Sequence, residues 1–292
     1  MKRAGYYKWL KRRETDQEIE DEQIALWVKE YDSKFHHILG YRRMRMYINA
    51  FNHKNYSRGR IQRIMQVLGI HAVIRRSKYK YLGNKPDEVA ENLLKREFLA
   101  ARPNEKWATD VTEFKISFSG KKIYLSAIID LYDRSIIAYV ISTRNDSKLV
   151  FDTFRKAVEQ NPDARPLLHS DRGFQYTTRT FKMMLEKAGM TQSMSRVGHC
   201  IDNCPTEGFW GIVKAEMYEM YEVKDKEALI KAIEDYIHFY NYDRLQERFN
   251  GQTPMAVRRA ALTAEAPKKY PIAPNPKIIR YKQHLAELAA RA

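Results

Sequence analysis

The sequence predicts an α/β protein in which an all-helical, basic segment precedes a mixed five-stranded sheet flanked by helices. Three observations support this prediction. Apolar residues recur with helical spacing before about residue 70, runs of branched residues typical of strands begin near residue 103, and helical and strand-like runs alternate after residue 147. With 292 residues, the chain is long enough for two or three domains with a substantial core.

The overall composition is that of a basic, folded protein. The formal net charge is +16, hydrophobic residues make up 44% of the chain and aromatic residues 12%, which excludes a disordered protein. Two cysteines, Cys200 and Cys204, exclude a disulfide scaffold and are typical of a reducing compartment. No apolar run reaches the roughly 18 residues of a membrane span. We therefore expect a cytoplasmic, nucleoid-associated protein that contacts no membrane and binds a polyanion.

The first third of the chain predicts three helices, over Asp16–Glu30, Tyr41–Phe51 and Arg58–Leu68. A short polar connection joins the second helix to the third, and Ser57 is a favourable N-cap for the third. Two short helices joined by a tight turn, with arginines on the second, are typical of a helix-turn-helix that binds DNA.

The charge of this segment is unbalanced along the sequence. Between Asp32 and Asp87 there are thirteen Lys and Arg residues and no acid. A solvated basic face or linker is one interpretation, and a surface that contacts DNA phosphates is the other. We expect Arg60 and Arg63 to stand free on the third helix. The predicted DNA-contacting arginines of the segment are Arg42, Arg43, Arg58, Arg60, Arg63, Arg75 and Arg76.

The middle of the chain predicts the sheet. Helices are expected over Lys148–Gln160 and Thr177–Lys187, and a long one begins at about Thr206. In chain order, the elements run β-β-β-α-β-α-β-α, which is the ribonuclease H-like arrangement. The predicted strands are Trp107–Ile116, Ile123–Leu131, Ile136–Ser142, Pro166–Ser170 and Thr191–Ser195.

Three carboxylates occupy unusual places in these elements. Asp110 lies inside the first strand on its apolar face, Asp171 follows the end of the fourth strand, and Glu207 lies in the first turn of the long helix. Each has an ordinary alternative, respectively a salt bridge, a turn before glycine, and an acid that complements the helix dipole. Together they suit two-metal phosphoryl transfer, in which shared carboxylates hold Mg²⁺ ions.

Two further residues of the long helix bear on this site. Lys214 lies seven residues after Glu207, on the same helical face, and is either a phosphate contact or a solvated lysine. Glu216 is the alternative third acid, but nine residues correspond to about 900° of rotation, so it faces the opposite side from Glu207. Only one of the two glutamates can serve one site.

Five motifs in order resemble the second-frame transposases of bacterial insertion-sequence family three, relatives of retroviral integrases. They are WATDVT at 107–112, HSDRG at 169–173, DNCPTEGFW at 202–210, FYNYDRL at 239–245 and NGQTP at 250–254, and LGYRR at 39–43 resembles the family's helix-turn-helix. The resemblance covers roughly residues 1 to 260. The family's 35-residue spacing between its second Asp and its Glu is present between Asp171 and Glu207, as is its lysine seven residues later, Lys214.

The resemblance implies a Mg²⁺-dependent enzyme, with Mn²⁺ as a substitute ion, that nicks DNA and transfers strands. Asp110, Asp171 and Glu207 would hold the metals, and the substrates would be the element's terminal inverted repeats and target DNA. It also implies a homo-oligomer on DNA and an upstream-frame partner with a helix-turn-helix and a leucine zipper. Two alternatives stay open: a nuclease of the same fold without strand transfer, and a DNA-binding regulator without catalysis.

The predicted domain organisation follows from these patterns. A basic helical DNA-binding domain is expected over residues 1–85, a linker over 86–102 and a ribonuclease H-like catalytic core over 103–222. A C-terminal helical region is expected over 223–262, and residues 263–292 form a tail without an assigned role.

Overall fold

The computed structural model describes residues 14–73, 93–94, 97–116, 122–195 and 204–271, with the backbone alone for 204, 205 and 207. Helices and strands follow the order expected from the sequence. The helices are α1 Asp16–Lys34, α2 Tyr41–Phe51, α3 Arg58–Val67, α4 Ser147–Gln160, α5 Arg179–Lys187, α6 Cys204–Met220, α7 Lys226–Tyr242 and α8 Pro254–Thr263. The strands are β1 Lys106–Lys115, β2 Lys122–Asp130, β3 Ile136–Ser142, β4 Leu167–Ser170 and β5 Thr191–Met194.

Helices α1 and α3 of the helical segment each begin at a residue whose side chain caps the helix. Thr15 and Glu18 form a capping box at the start of α1, and the Ser57 hydroxyl accepts a hydrogen bond from the Arg60 N–H at the start of α3. The prediction for α1 was one turn too short, since that helix runs on to Lys34 and its last turn buries Tyr31 against the other helices. The α2–α3 pair matches the predicted helix-turn-helix elements.

The basic segment is not free of counter-charges. Residues 1–85 carry twenty Lys and Arg against eight Asp and Glu, and seven of the eight acids lie on α1, whose Glu20 and Asp21 pair with α3. The expectation that Arg60 and Arg63 stand free is wrong. Arg60 contacts Asp21 at 2.7 Å and Glu20 at 2.5 Å, and Arg63 also pairs with Asp21.

The sheet has the strand order β3-β2-β1-β4-β5. Strands β1, β2 and β3 form an antiparallel meander, whereas β4 and β5 run parallel to β1. This mixed five-stranded sheet with helices on both sides confirms the predicted ribonuclease H-like fold. The short β4 pairs with β1 only as far as Ala108 and His169, so β1 extends beyond the carboxyl end of β4.

The hydrophobic core continues from the helical segment into the sheet. One cluster of buried side chains includes residues of α1–α3, of one face of β1 and β2, and of α6 and α7. Phe35 and Phe239 pack with ring centroids 6.2 Å apart, and the Tyr47 hydroxyl donates to the carbonyl of Asp243 at 2.9 Å. A second cluster lies under α4 and α5 on the other face of the sheet. The helical segment is therefore packed directly against the helices that follow the sheet.

The C-terminal helix α8 is attached by a buried ion cluster. Thr253 caps α8 and Pro254 is its first residue. Arg258, buried on this helix, donates to Asp130 at 2.9 Å and to Asp133 at 3.0 Å, at the end of β2. Burial and the neighbouring Asp130 raise the pKa of Asp133 to about 7. One guanidinium thus faces two buried carboxyl groups.

Candidate active site

Asp110 lies in the middle of β1, on the strand face that α6 covers. Its Oδ1 accepts the backbone N–H of Val111 at 2.8 Å, and its Oδ2 accepts the indole N–H of Trp210 from α6 at 3.0 Å. Side chains alternate along a strand, so Phe114 shares the face of Asp110 and packs under α6 as well. The strand fixes the backbone of Asp110, and the two donors fix its carboxylate.

Asp171 follows β4 directly and reaches the same level of the sheet. Each aspartate lies two residues beyond the last paired residues, Ala108 and His169, so the parallel register predicts neighbouring positions for Asp110 and Asp171. The Asp171 Oδ1 accepts the Gly173 N–H at 2.9 Å, which closes the turn after the strand. Burial raises the pKa of the Asp171 carboxyl, and that hydrogen bond opposes the rise only in part.

Tyr176 is a buried tyrosine that packs beside β1. Its phenol is fully buried and lies 3.3 Å from the Thr109 hydroxyl of β1. Burial raises the pKa of Tyr176 well above its usual value, and the charges of Asp110 and Asp171 both raise it further. Burial and the charges of the two aspartates therefore favour the protonated phenol of Tyr176.

Helix α6 presents one stripe of side chains to β1. Trp210 donates to Asp110, the Lys214 ammonium lies 5.5 Å from the centre of the Phe114 ring, and the Tyr218 hydroxyl donates to the Lys115 carbonyl at 3.1 Å. Residue 207 precedes Trp210 by three positions and Lys214 by seven, a spacing that predicts the same helical face for the three residues. Burial lowers the pKa of Lys214, while Asp110 and Glu113 oppose that change.

Glu216 lies on the opposite side of α6, as its spacing from residue 207 predicted. Its carboxylate is almost fully buried and accepts hydrogen bonds of 2.9 Å from Arg43, Arg244 and Tyr236. These partners hold the pKa of Glu216 below its usual value despite its burial. The structure thus commits Glu216 to a cluster that joins α6 to α2 and α7.

Family models match three consecutive parts of the chain. An HTH-like domain matches residues 18–78, and two integrase core domain models match residues 100–200 and 207–262. The putative transposase InsK for insertion sequence element IS150 of Escherichia coli is 38% identical over 224 residues, covering 75% of this chain and 77% of that protein. The chain belongs to the insertion-sequence transposases of family three. It is a DNA transposase with an integrase-type core, a polynucleotidyl transferase.

Other comparisons with the transposase agree with this membership and with its fold. The transposase InsF for insertion sequence IS3A of Escherichia coli is 32% identical over 168 residues, covering 57% of this chain and 58% of that protein. A cryo-EM structure of the simian T-cell lymphotropic virus intasome in complex with PP2A regulatory subunit B56 gamma has a TM-score of 0.50 and 15% identity, covering 79% of this chain and 80% of that one. At that identity, the likeness shows the fold alone.

The predicted DNA-contacting arginines of the transposase fall into three environments. Arg42 and Arg58 are more than half exposed and both approach Glu247. Arg43 and Arg60 are largely buried in ion pairs, which differs from the expectation that both stand on a free basic surface as DNA contacts. Arg63 is half-exposed beside Asp21. Arg75 and Arg76 lie outside the described residues.

Sequence analysis did not assign a role in the site to Trp210 or Tyr176. Trp210 lies three residues after Glu207, so its position on the stripe of α6 was available from the helical repeat. The hydrogen-bond acceptor of its indole N–H could not be predicted, because that acceptor depends on how α6 packs against β1. Tyr176 carried no signal beyond its place five residues after Asp171.

The donor set suits a divalent ion of the magnesium type. Carboxylate oxygens are the ligands that Mg²⁺ prefers, and a cation would offset the cost of burial that raises the pKa of Asp171. Among the side chains that the structure describes, no group of three His, Cys, Asp or Glu could by itself hold a metal ion. Within the described parts of the chain, no helix is long and apolar enough to cross a membrane.

Proposed function

We propose that the transposase cuts and joins DNA strands by two-metal phosphoryl transfer, with Asp110, Asp171 and Glu207 as the metal-holding carboxylates. The parallel register of β1 and β4 supports this proposal, because its last pair, Ala108 with His169, lies two residues before each aspartate, and α6 packs on the same face of β1 as Asp110. A bound Mg²⁺ pair, for which Mn²⁺ would substitute, supplies Lewis-acid stabilisation of the attacking and leaving oxygens.

The chain's own groups orient this chemistry. Trp210 and the backbone of Val111 fix the carboxylate of Asp110, and Gly173 fixes that of Asp171. Lys214, on the same stripe as Trp210, is suited to a phosphate that flanks the reacting one. In the nicking step, water attacks the phosphorus, the bond to the 3′ oxygen breaks, and the products are a 3′-hydroxyl and a 5′-phosphate.

The strand-transfer step uses the 3′-hydroxyl produced by nicking. This hydroxyl attacks a second phosphodiester, a new P–O bond forms, and the departing 3′ oxygen takes up a proton, so no covalent protein intermediate is needed. We propose double-stranded DNA as the partner, namely terminal inverted repeats and target DNA. The helix-turn-helix would bind it through Arg42, Arg58 and Arg63, with Arg75 and Arg76 as further proposed contacts. A homo-oligomer on paired ends and a partner protein from an upstream frame belong to the same proposal.

Replacement of the three carboxylates tests the proposal. Asp110→Asn, Asp171→Asn and Glu207→Gln should each abolish nicking of a duplex that carries the DNA flanking the coding region, in buffer with Mg²⁺. Binding of the same duplex should survive. Asp163→Asn, a change at an exposed turn, is the matched control and should nick normally. Nicking by the Asp110→Asn protein would reject the assignment.

The same assay separates the two alternatives. A nuclease of the same fold would cleave duplexes without the flanking sequence and would form no joined product. A DNA-binding regulator without catalysis would nick no duplex in the wild-type form. Joined strands on a denaturing gel, dependent on the end sequence, are the result that supports transposition.

A further inference from the structure

Two arginines from the two helices of the helix-turn-helix meet on one carboxylate. Arg42 lies in the first turn of α2 and Arg58 is the first residue of α3. The Arg58 guanidinium pairs with Oε1 of Glu247, and the Arg42 guanidinium lies 3.7 Å from Oε2 of the same residue. Glu247 comes from beyond α7, so the anion is supplied by a distant part of the chain.

The position of Glu247 is set by the turn that carries it. Glu247 begins a short 3-10 turn whose last residue, Phe249, is fully buried. A backbone bridge between Gln246 and Gln252 closes the loop. The neighbouring Leu245 donates its N–H to the Tyr47 hydroxyl on α2 at 3.3 Å, which ties the loop to the helical segment. The backbone of Glu247 is therefore held beside the two arginines by contacts of the neighbouring residues. Its carboxylate is not needed for this position.

The exposure of the three groups argues against a purely structural role. The side chains of Arg42, Arg58 and Glu247 are 58%, 52% and 39% exposed. Ion pairs this open to water contribute little to stability, in contrast to the buried pair of Arg43 with Glu216. An external anion can reach the two guanidinium groups, and guanidinium groups bind phosphate oxygens as readily as carboxylate oxygens.

We propose that Arg42 and Arg58 form a phosphate-binding fork for the DNA backbone, and that Glu247 occupies this fork until a DNA phosphate displaces it. The proposal rests on the proposed function of the helical segment as a DNA-binding module. It adds that the C-terminal part of the chain competes with DNA for that module. Removing the Glu247 charge should therefore strengthen DNA binding, and only while both arginines are present.

Binding of the full-length chain to a 30-base-pair duplex of arbitrary sequence tests the fork. Measured by fluorescence anisotropy, Glu247→Gln should tighten binding about three- to fivefold, the scale of one exposed ion pair. Glu159→Gln, which removes an exposed acid of α4, controls for net charge and should change affinity less than twofold. The double variant Arg42→Gln/Arg58→Gln should bind more weakly, with a salt slope smaller by about two.

The triple variant decides between a local and a general effect. Adding Glu247→Gln to Arg42→Gln/Arg58→Gln should give no further gain, since the fork is already gone. An equal gain from Glu247→Gln and Glu159→Gln, or a gain that persists in the triple variant, overturns the proposal. A wild-type chain without affinity for the duplex would instead overturn the proposed DNA-binding function itself. Equal urea midpoints for all variants confirm that each is folded.

Discussion

The indole Nε1 of Trp210 donates a hydrogen bond of 3.0 Å to Oδ2 of Asp110, and this bond joins helix α6 to the central strand of the sheet. Trp210 is almost fully buried, packed on Phe209 with ring centroids 4.8 Å apart. The donor therefore cannot turn away from the carboxylate without unpacking the helix. An aspartate in a strand is oriented by a residue that follows it by 100 positions.

Trp210→Phe should weaken the use of Mg²⁺ without unfolding the protein. Phenylalanine keeps an aromatic ring at this position but donates no hydrogen bond, so the Asp110 carboxylate loses the N–H that orients its Oδ2. Outer partners of metal-holding carboxylates typically contribute about 10- to 100-fold to metal affinity. We expect a rise of about tenfold in the Mg²⁺ concentration that gives half-maximal nicking. The Mg²⁺ concentration needed to raise the melting temperature should increase as well.

Trp27→Phe is the matched control for that prediction. Trp27 is a partly buried tryptophan of α1, and it packs against the hydrophobic cluster that the helical segment shares with α6. Its replacement should leave the Mg²⁺ dependence unchanged. If Trp210→Phe and Trp27→Phe have the same Mg²⁺ dependence as the wild-type chain, the indole N–H has no positioning role.

Glu216→Gln should destabilise the fold strongly. The change removes the charge that two guanidinium groups, of Arg43 and Arg244, share in a buried site. Removing one partner from a buried ion cluster typically costs about 3–5 kcal/mol. We expect a loss of this size in the free energy of unfolding, measured with urea. Glu219→Gln, one turn later and exposed, should change it by less than about 0.5 kcal/mol.

Asp133 should make stability fall as the pH rises. Its pKa in the folded chain is about 7 against an ordinary value of 3.8, so the folded state binds more protons than the unfolded state between pH 4 and 7. By linkage, the free energy of unfolding then declines across that window, by roughly 1 kcal/mol per pH unit for one proton. Asp133→Asn should flatten the decline. The measurement is the free energy of unfolding of the wild-type and Asp133→Asn proteins from pH 4.5 to 7. Equal slopes against pH would contradict the prediction.

Arg60 and Arg63 should respond differently to replacement by alanine. Arg60 is 21% exposed and bridges Asp21 and Glu20 while lying over the Tyr56 ring, so Arg60→Ala should cost roughly 1–2 kcal/mol of stability in urea. Arg63 is half-exposed, so Arg63→Ala should leave stability nearly unchanged and reduce the salt slope of DNA binding by about one. A stability loss for Arg63→Ala as large as that for Arg60→Ala would reverse these assignments.

Periodicity was sufficient to predict the elements of this fold. All five strands lie where alternating or branched runs predicted them, and α2 begins and ends at the predicted residues. The charge pattern was a poorer guide. The acid-free stretch suggested free arginines, whereas the structure pairs Arg60 with an acid of α1 and Arg58 with Glu247. Spacing along one segment cannot reveal counter-charges that arrive from other elements.

The sequence by itself determined the family, the order of elements and the three acids proposed for catalysis, because these depend on spacing within a strand, a helix or a motif. The opposite placement of Glu216 from residue 207 followed from the helical repeat alone. Only the tertiary structure decided which groups surround those acids. The register of β1 with β4, the indole N–H on Asp110 and the Glu247 carboxylate between Arg42 and Arg58 join residues far apart in the chain. Such contacts depend on packing between elements, which no local pattern encodes.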